Sequence, residues 1–241
     1  MSEGVVTEGL LHFDGDAGLD EFVQISWHNV SKGSDSHDAF RSRSVTDVTP
    51  WLALLVPAYV VGTFPTAQIM TRRAGIDVMT AGSGNPGASN TFRTAGRKAG
   101  TVVLVVDILK GVLPTIAGLI AAGRPLAMAC GIAAFVGHSW PVQRHFKGGK
   151  GVATAGGLAF GLYPFVAVGL IFLWVVLTKI THKASIGSLA IVTLLPVGVA
   201  ITHHRAWETT TIVALSVIVI ARHTENIKRL VSRTERNIAR I

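Results

Sequence analysis

The sequence has little charge and almost no cysteine, and each shortage excludes a class of protein. Charged side chains make up only 15% of the 241 residues, whereas soluble domains carry about 25%. Hydrophobic residues make up 49%, and the mean hydropathy is +0.47. These proportions exclude an intrinsically disordered chain and predict that much of the surface faces lipid. The single Cys excludes a disulfide scaffold and a Cys-based zinc site.

Acidic residues are scarce after residue 50. Residues 1–50 hold nine acidic and three basic side chains, a net charge of −6, whereas residues 51–241 hold five acidic and 19 basic ones, or +14. The overall charge of +8 suits an acidic lipid surface, a phosphorylated substrate or nucleic acid. The first 50 residues have no hydrophobic period and no apolar signal-peptide core. We therefore predict an acidic, disordered extension at 1–50 that is no secretory signal, and one domain at 51–241.

Long apolar runs predict membrane-spanning helices. They lie at 51–70, 101–122, 125–140, 152–180, 184–202 and 207–221. A bilayer core of about 30 Å needs roughly 20 helical residues, so the run at 152–180 is too long for one span and divides at Pro164. We predict an all-α, polytopic transmembrane helix bundle of about seven spans, some of them short. Five spans, with 207–221 lying in the interface, is the alternative. Gly157 and Gly161 are spaced for close helix packing.

The basic residues predict an orientation. With seven spans, 16 of them fall on one face, in 71–100, 144–150, 179–183 and 222–240. Only Arg124 and Arg205 fall on the other face. Because basic loops stay on the cytoplasmic side, we expect the N-terminus outside and the C-terminus in the cytoplasm.

Three polar segments between the apolar runs suit an anion such as phosphate. The first runs from Gly82 to Asn90 with the sequence GSGNPGASN and is followed by Arg93. Its glycines permit a tight turn that exposes backbone N–H groups, Ser83 and Asn90 add neutral donors, and Arg93 adds a guanidinium fork. A simple turn between helices is the alternative interpretation.

The second segment, GHSWPVQRHFKGGKGVAT at 137–154, carries Lys147 and Lys150 on a glycine-rich backbone just before an apolar run. The backbone N–H groups at that helix start can also hold an anion, although the spacing of a P-loop is absent. A basic loop that only sets topology is the alternative.

The third segment, RHTENIKRL at 222–230, follows the last apolar run. In a helix His223 and Asn226 would share a face. The alternative is a basic amphipathic tail on anionic lipid.

Asp107 and Lys110 lie three residues apart inside an apolar run. Charges there are costly, so we expect either an ion pair that fixes helix packing or a contact with substrate. The nine His show no spacing typical of metal ligands, and we predict no metal and no other cofactor.

In this order, the three segments resemble the motifs of the bacterial acyl-phosphate:glycerol-3-phosphate acyltransferase family, PlsY, over about residues 51–238. The segments 107–111 and 183–187 resemble further parts of that family. The resemblance implies a bacterial inner-membrane enzyme of phospholipid synthesis with its active site at the cytoplasmic side. It would move an acyl chain from acyl phosphate to the 1-hydroxyl of glycerol 3-phosphate, giving lysophosphatidic acid and phosphate. Its partners would be these substrates, membrane lipid and an acyl-phosphate-forming enzyme, but not nucleic acid.

The resemblance also implies roles for single residues. The phosphate of glycerol 3-phosphate would be held by a catalytic set of Ser83, Arg93, Lys150, His223 and Asn226. The acyl phosphate would lie near Lys147, Gly148, Gly149 and Gly151. The substrate-binding set further includes Gly82, Gly84, Asn85, Gly87, Asn90, Gly137 and His138.

One position departs from the family pattern. The third motif commonly reads His-Arg-Glu-Asn, and here Thr224 replaces the Arg. If that Arg only pairs structurally or contacts lipid, Thr224 is harmless. If it binds phosphate, affinity is weaker here, with Arg222 as a partial substitute. Taken without the resemblance, the residues also fit an anion transporter or phosphate-binding membrane protein, or a structural membrane protein.

Overall fold

The computed structural model describes residues 51–203 and 205–238, and these residues form a helix bundle without strands. The helices are α1 (Leu55–Thr63), α2 (Thr66–Arg72), α3 (Ala88–Ala122), α4 (Arg124–Ser139), α5 (Val152–Leu162), α6 (Pro164–Thr181), α7 (Ala184–His203), α8 (Ala206–Ala221) and α9 (Thr224–Val231). The all-α prediction is confirmed. The prediction for residues 1–50 lies outside the described residues.

Four helical segments are long and apolar enough to cross a membrane. They are α3, α4 extended to Arg144, α6 and α7. Large apolar side chains such as Phe165 and Ile120 are 92% and 81% exposed, as on a surface that faces lipid. The 11 residues of α5 rise only about 16 Å, so this helix packs inside the bundle against α3, α4 and α6. The number of spans stays a prediction.

The apolar run at 51–70 is two helices rather than the single span that its length suggests. Helix α1 ends before Phe64, and α2 begins after Pro65. A proline disfavours helical backbone at the residue that precedes it, which explains the break. The run at 152–180 divides at Pro164 as predicted, and there the proline begins α6, a position that proline favours.

The break between α1 and α2 is held by the charged pair of α3. Lys110 Nζ lies 2.6 Å from Asp107 Oδ1 and donates a hydrogen bond of 2.7 Å to the carbonyl oxygen of Phe64. Lys110 and Asp107 are both buried. Of the two alternatives for this pair, the geometry of Lys110 therefore supports the ion pair that fixes helix packing.

Two groups of basic residues lie at opposite ends of α4 and α8. At the start of both helices, Arg124 donates to the fully buried Glu208 at 2.6 and 2.7 Å, and Arg205 lies 3.6 Å from the same carboxylate. Tyr163 also donates to Glu208 at 2.7 Å. The sequence assigns both arginines to one face, and the structure brings them together there.

At the other end, the four basic segments meet. Arg222 contacts the loop at 147–151, Arg236 contacts Gly82, and Ile238 N–H donates to the His182 carbonyl. The predicted grouping of basic segments on one face is thus observed, and the side of the membrane that this face meets stays a prediction.

Helices α3 and α5 approach each other at glycines. A Cβ atom at Gly157 would collide with the carbonyl oxygen of Ile108, and one at Gly161 would lie 2.8 Å from the Thr115 methyl carbon. The close packing predicted from these two glycines is therefore present, and it sets the start of α5 beside the middle of α3.

Replacing Gly157 with Ala should destabilise the bundle by about 1–3 kcal/mol, because the backbone of α3 must move away to accept the methyl group. Thermal unfolding in detergent measures the change. Gly169→Ala is the matched control, since Gly169 lies on the exposed side of α6 and a Cβ there meets nothing within 4 Å. Equal unfolding temperatures for the two variants would contradict the packing role of Gly157.

Candidate active site

One cavity of about 200 Å³ lies at the end of the bundle where the basic segments meet. Ten of the residues singled out from the sequence line it: Ser83, Asn85, Gly87, Asn90, Arg93, His138, Lys150, Gly151, His223 and Asn226. The fold thus brings the three polar segments to a single site. Asp107 lines the same cavity.

Asn90 holds the first segment in shape. Its side chain is 1% exposed, accepts a hydrogen bond of 2.9 Å from Ser83 N–H and donates one of 3.0 Å to the Ala81 carbonyl. The loop turns through left-handed backbone at Gly82 and Gly84, with φ of 61° and 68°, a conformation that favours glycine. Asn90 therefore acts as an internal brace of the loop.

Arg93 carries a buried donor that none of the described residues uses. Its Nη2 donates to Ser83 Oγ and to Asn90 Oδ1, both at 3.3 Å. Its Nε is buried and has no hydrogen-bond partner among the described residues. A guanidinium has five N–H donors, so Arg93 is equipped to bind an anion in the cavity.

The second segment is braced from the end of α8. Arg222 donates to the carbonyl oxygens of Gly149 at 3.0 Å and Gly148 at 3.2 Å, and its guanidinium lies 4.8 Å from the ring centroid of Trp140. Gly149 N–H donates in turn to the His138 carbonyl at 3.1 Å. These contacts fix the backbone that presents Lys150 to the cavity.

Lys150 meets the third segment. Its Nζ donates to Asn226 Oδ1. Burial, followed by the charge of Arg229, lowers the pKa of Lys150 to about 8. The ammonium form of Lys150 still predominates at pH 7, but it loses its proton at a lower pH than the ammonium of an exposed lysine.

His223 is held as a neutral ring. Burial, followed by the charge of Lys150, lowers the pKa of His223 to about 4. Its Nδ1 lies 2.8 Å from the carbonyl oxygen of Val219, which can only accept, so Nδ1 carries the proton. The other nitrogen, Nε2, is therefore an acceptor for a hydroxyl group.

Six residues of the predicted set lie outside the cavity lining: Gly82, Gly84, Gly137, Lys147, Gly148 and Gly149. Lys147 is exposed. A Cβ at Gly137 would collide with the carbonyl oxygen of Tyr59, so this glycine serves the packing of α4 on α1. The other glycines shape the two loops.

The cavity also contains residues that were not in the predicted site set. They are Trp174 on α6, Ser185 and Ser188 on α7, and Arg229, Glu235 and Arg236 at the C-terminal end. Glu235 stands out because it is one of only five acidic residues after residue 50. That scarcity was the one sequence feature that could have drawn attention to it.

Thr224 lies outside the cavity lining and is exposed, and its hydroxyl donates to the Ala221 carbonyl at 2.6 Å. The Arg222 guanidinium is bound to the loop carbonyls and lies outside the cavity lining, which speaks against Arg222 as a substitute for the missing arginine. Of the two alternatives for this position, the geometry favours the harmless replacement.

Among the described residues, no three His, Cys, Asp or Glu side chains are grouped as a metal site. The site thus combines four cations, two carboxylates, neutral donors and a neutral imidazole at one end of a bundle whose outer surface suits lipid. This defines a polytopic membrane protein with a predominantly cationic cavity at one end of its bundle.

Residues 52–233 match the family model described as glycerol-3-phosphate acyltransferase. A glycerol-3-phosphate acyltransferase of Geobacter sulfurreducens is 40% identical over 185 residues, which are 76% of this chain and 95% of the relative. One of Sinorhizobium medicae is 40% identical over 190 residues, 78% of this chain and 92% of the relative.

The fold is similar to crystal structures of PlsY, an integral membrane glycerol 3-phosphate acyltransferase. The TM-score is 0.75 for its glycerol 3-phosphate form and 0.73 for its lysophosphatidic acid form. Each PlsY chain is 30% identical to this chain, and the match covers 79% of this chain and 96% of the PlsY chain. The chain belongs to the glycerol-3-phosphate acyltransferase family and is an enzyme of the PlsY type.

Replacing Arg222 with Lys should lower kcat/KM about tenfold, nearly as much as Arg222→Ala. A lysine keeps the charge but lacks the rigid planar fork that bonds both carbonyl oxygens from one fixed position, and a charge-assisted hydrogen bond contributes about 1.5–3 kcal/mol. Steady-state acyl transfer measures the change. If Arg222→Lys keeps wild-type kinetics while Arg222→Ala loses them, charge rather than the brace is what Arg222 supplies.

Proposed function

We propose that this enzyme transfers an acyl chain from acyl phosphate to the 1-hydroxyl of glycerol 3-phosphate. The products are lysophosphatidic acid and inorganic phosphate. The observation that supports this most is a cavity that joins two cations, Arg93 and Lys150, to an apolar groove. One end of that cavity suits phosphate, and the other suits a hydrocarbon chain.

The phosphate of glycerol 3-phosphate lies, in this proposal, between Arg93, Lys150 and Asn226, with Ser83 as a further donor. These side chains come from three separate segments and line one cavity. Arg93 has a buried Nε without a protein partner among the described residues. An anion that binds there would satisfy this donor and reduce the repulsion between the two cations.

His223 has a different task from the cations. Because its ring is neutral with the proton on Nδ1, Nε2 accepts hydrogen bonds rather than donating them. We assign it to a hydroxyl of the glycerol or to a protonated phosphate oxygen. This contact orients the acceptor substrate beside the cationic pair.

The acyl chain lies in the groove between α5, α6 and α7. Its wall contains Ala155, Leu170 and Leu195, and Val152 and Ile171 line both this groove and the polar cavity. The acyl phosphate headgroup then falls near the start of α5, where Gly151 precedes the first helical residue. Helix N-termini favour anions because their N–H groups are unpaired.

The chemistry requires charge neutralisation more than a covalent nucleophile. The 1-hydroxyl oxygen attacks the acyl carbonyl carbon and forms the ester bond, and the bond from that carbon to the phosphate oxygen breaks. Phosphate leaves with the bonding electrons, and the hydroxyl proton passes to a phosphate oxygen. The cations stabilise the negative charge that builds up. Cys130 is buried in α4 outside the cavity lining, so we propose direct attack.

We also propose that the enzyme lies in the bacterial inner membrane with this cavity at the cytoplasmic side. The support is that the four segments that meet there hold 15 basic residues within the part of the chain that the structure describes. An acyl-phosphate-forming enzyme must then supply the donor.

Purified protein given acyl phosphate and glycerol 3-phosphate should form lysophosphatidic acid and release phosphate. Lys150→Ala and Arg93→Ala should each lower kcat/KM for glycerol 3-phosphate by about a hundredfold, since a charge-assisted bond to phosphate contributes about 1.5–3 kcal/mol. Lys228→Ala is the control, because Lys228 pairs with Glu225 on the exposed side of α9. Unchanged dependence on glycerol 3-phosphate in both site variants would refute the assignment. Binding of substrate without product would point to a phosphate-binding protein instead.

The pH profile should follow Lys150. Because its folded-state pKa is about 8, kcat/KM for glycerol 3-phosphate should fall as pH rises through that value and the ammonium loses its proton. Lys150→Arg keeps its charge at every pH of the assay, so the alkaline fall should move upward in this variant. An alkaline limb that stays in place would assign the titration to another group.

A further inference from the structure

A short segment after α9 closes one side of the cavity. This C-terminal strap, residues 232–238, extends past residue 233, where the family match ends. The buried Ile238 packs against Phe92 and Ala184, and its N–H donates to the His182 carbonyl at 2.8 Å. Arg236 donates to the Gly82 carbonyl at 2.6 Å. The strap is thus tied to the first loop and to the start of α7.

Between these ties, Glu235 is directed into the protein. Its side chain is 5% exposed. Oε1 accepts from Asn226 Nδ2 at 2.7 Å and from Ser185 Oγ at 2.9 Å, and Oε2 accepts from Arg229 Nε at 2.8 Å. Burial alone would raise the pKa of Glu235, but the hydrogen bonds from Arg229, Asn226 and Ser185 hold it below its usual value. The carboxylate is therefore ionised at neutral pH.

The bond to Glu235 determines which way the Asn226 amide points. A carboxylate only accepts, so the NH2 group of Asn226 must face Glu235. The amide oxygen then faces Lys150, whose ammonium only donates. Each end of the amide meets the one partner that it can satisfy, and a flipped amide would oppose donor to donor at Lys150.

We propose that Glu235 is a positioning residue of the active site: it fixes the Asn226 amide, and through it the Lys150 ammonium, in the orientation that binds glycerol 3-phosphate. The inference rests on the proposed function of Asn226 and Lys150. It extends the functional unit beyond the three polar segments to the strap.

Glu235 also acts on Lys150 through charge. The ionisable groups around the Lys150 side of the cavity are Arg93 and Asp107 on α3, His138 on α4, Arg222, His223 and Arg229 near α9, and Glu235 and Arg236 on the strap. Arg229 disfavours the ammonium, and Glu235 favours it. Removing the Glu235 charge should therefore make Lys150 lose its proton at lower pH.

Glu235→Gln is the decisive variant. A glutamine can turn either its oxygen or its NH2 group toward Asn226, so the Asn226 amide is no longer restricted to one orientation. We expect KM for glycerol 3-phosphate to rise about tenfold, kcat to change by less than threefold, and the alkaline limb of the pH profile to move to lower pH. Glu235→Asp keeps the charge on a shorter side chain. It should keep the alkaline limb at its wild-type pH but recover only part of the affinity for glycerol 3-phosphate.

Glu225→Gln is the matched control, because Glu225 lies on the exposed side of α9 in a surface pair with Lys228. Its kinetics and pH profile should equal those of the wild type. If Glu235→Gln lowers only the unfolding temperature and leaves KM and the limb in place, Glu235 is structural and the proposal is wrong. Should that variant not fold, Ser185→Ala removes one donor to Glu235, and we expect a two- to threefold rise in KM. An unchanged KM in Ser185→Ala would then overturn the proposal.

A double-mutant cycle separates this proposal from the proposed function. If Glu235 acts through Asn226, the fold-changes of Glu235→Gln and Asn226→Ala should be far from multiplicative in the double variant. If the fold-change of the double variant equals the product of the two single fold-changes, the positioning role of Glu235 is wrong, while the assignment of Asn226 stays intact. If Asn226→Ala alone leaves KM for glycerol 3-phosphate unchanged, the assignment of Asn226 is wrong.

Discussion

Cations buried at the end of an apolar bundle repel one another and lose their hydration, and this cost constrains the whole structure. Three buried carboxylates among the described residues offset part of this cost by pairing with cations. Asp107 pairs with Lys110 where α3 meets the break between α1 and α2, Glu208 gathers two arginines at the far end, and Glu235 receives Arg229 beside the cavity. Each carboxylate joins elements that are distant in the chain. Arg93 and Lys150 have no such carboxylate at contact distance among the described residues, and they are the two cations that we assign to phosphate.

The second constraint is that backbone segments must approach one another closely, in the polar loops and between α3 and α5. The two polar loops contain glycines because the side chains of Arg222 and Arg236 bind their carbonyl oxygens and the His138 carbonyl of α4 accepts from a loop N–H. The bundle contains glycines because α5, only 11 residues long, must lie against α3 closely enough to bring its N-terminus to the cavity. A larger side chain at Gly157 would displace the start of α5, and with it the loop that carries Lys150.

Local patterns predicted the helices, the division at Pro164 and the packing role of Gly157, because apolar runs and glycine spacing act over short distances. The meeting of the three polar segments in one site was expected only from the family resemblance. The break at Phe64 was missed, since an uncharged run of 20 residues outweighed Pro65 within it. Glu235 was missed because its partners, Ser185, Asn226 and Arg229, come from two helices and only the folded chain joins them. Gly137 was placed in the site on motif membership alone, whereas its contact with Tyr59 is a matter of helix packing.

The groove beside the cavity has a wall that also forms the outside of the protein. Ile171 and Val175 line the cavity and are 40% and 37% exposed on the surface that suits lipid. Under the proposed function, a hydrocarbon chain can therefore pass between bilayer and protein without crossing water. Each methylene that stays out of water avoids a cost of about 0.8 kcal/mol. The apolar groove and the hydrocarbon core of the bilayer are then similar environments for the acyl chain. The polar headgroups, rather than the tail, therefore set how long donor and product stay bound.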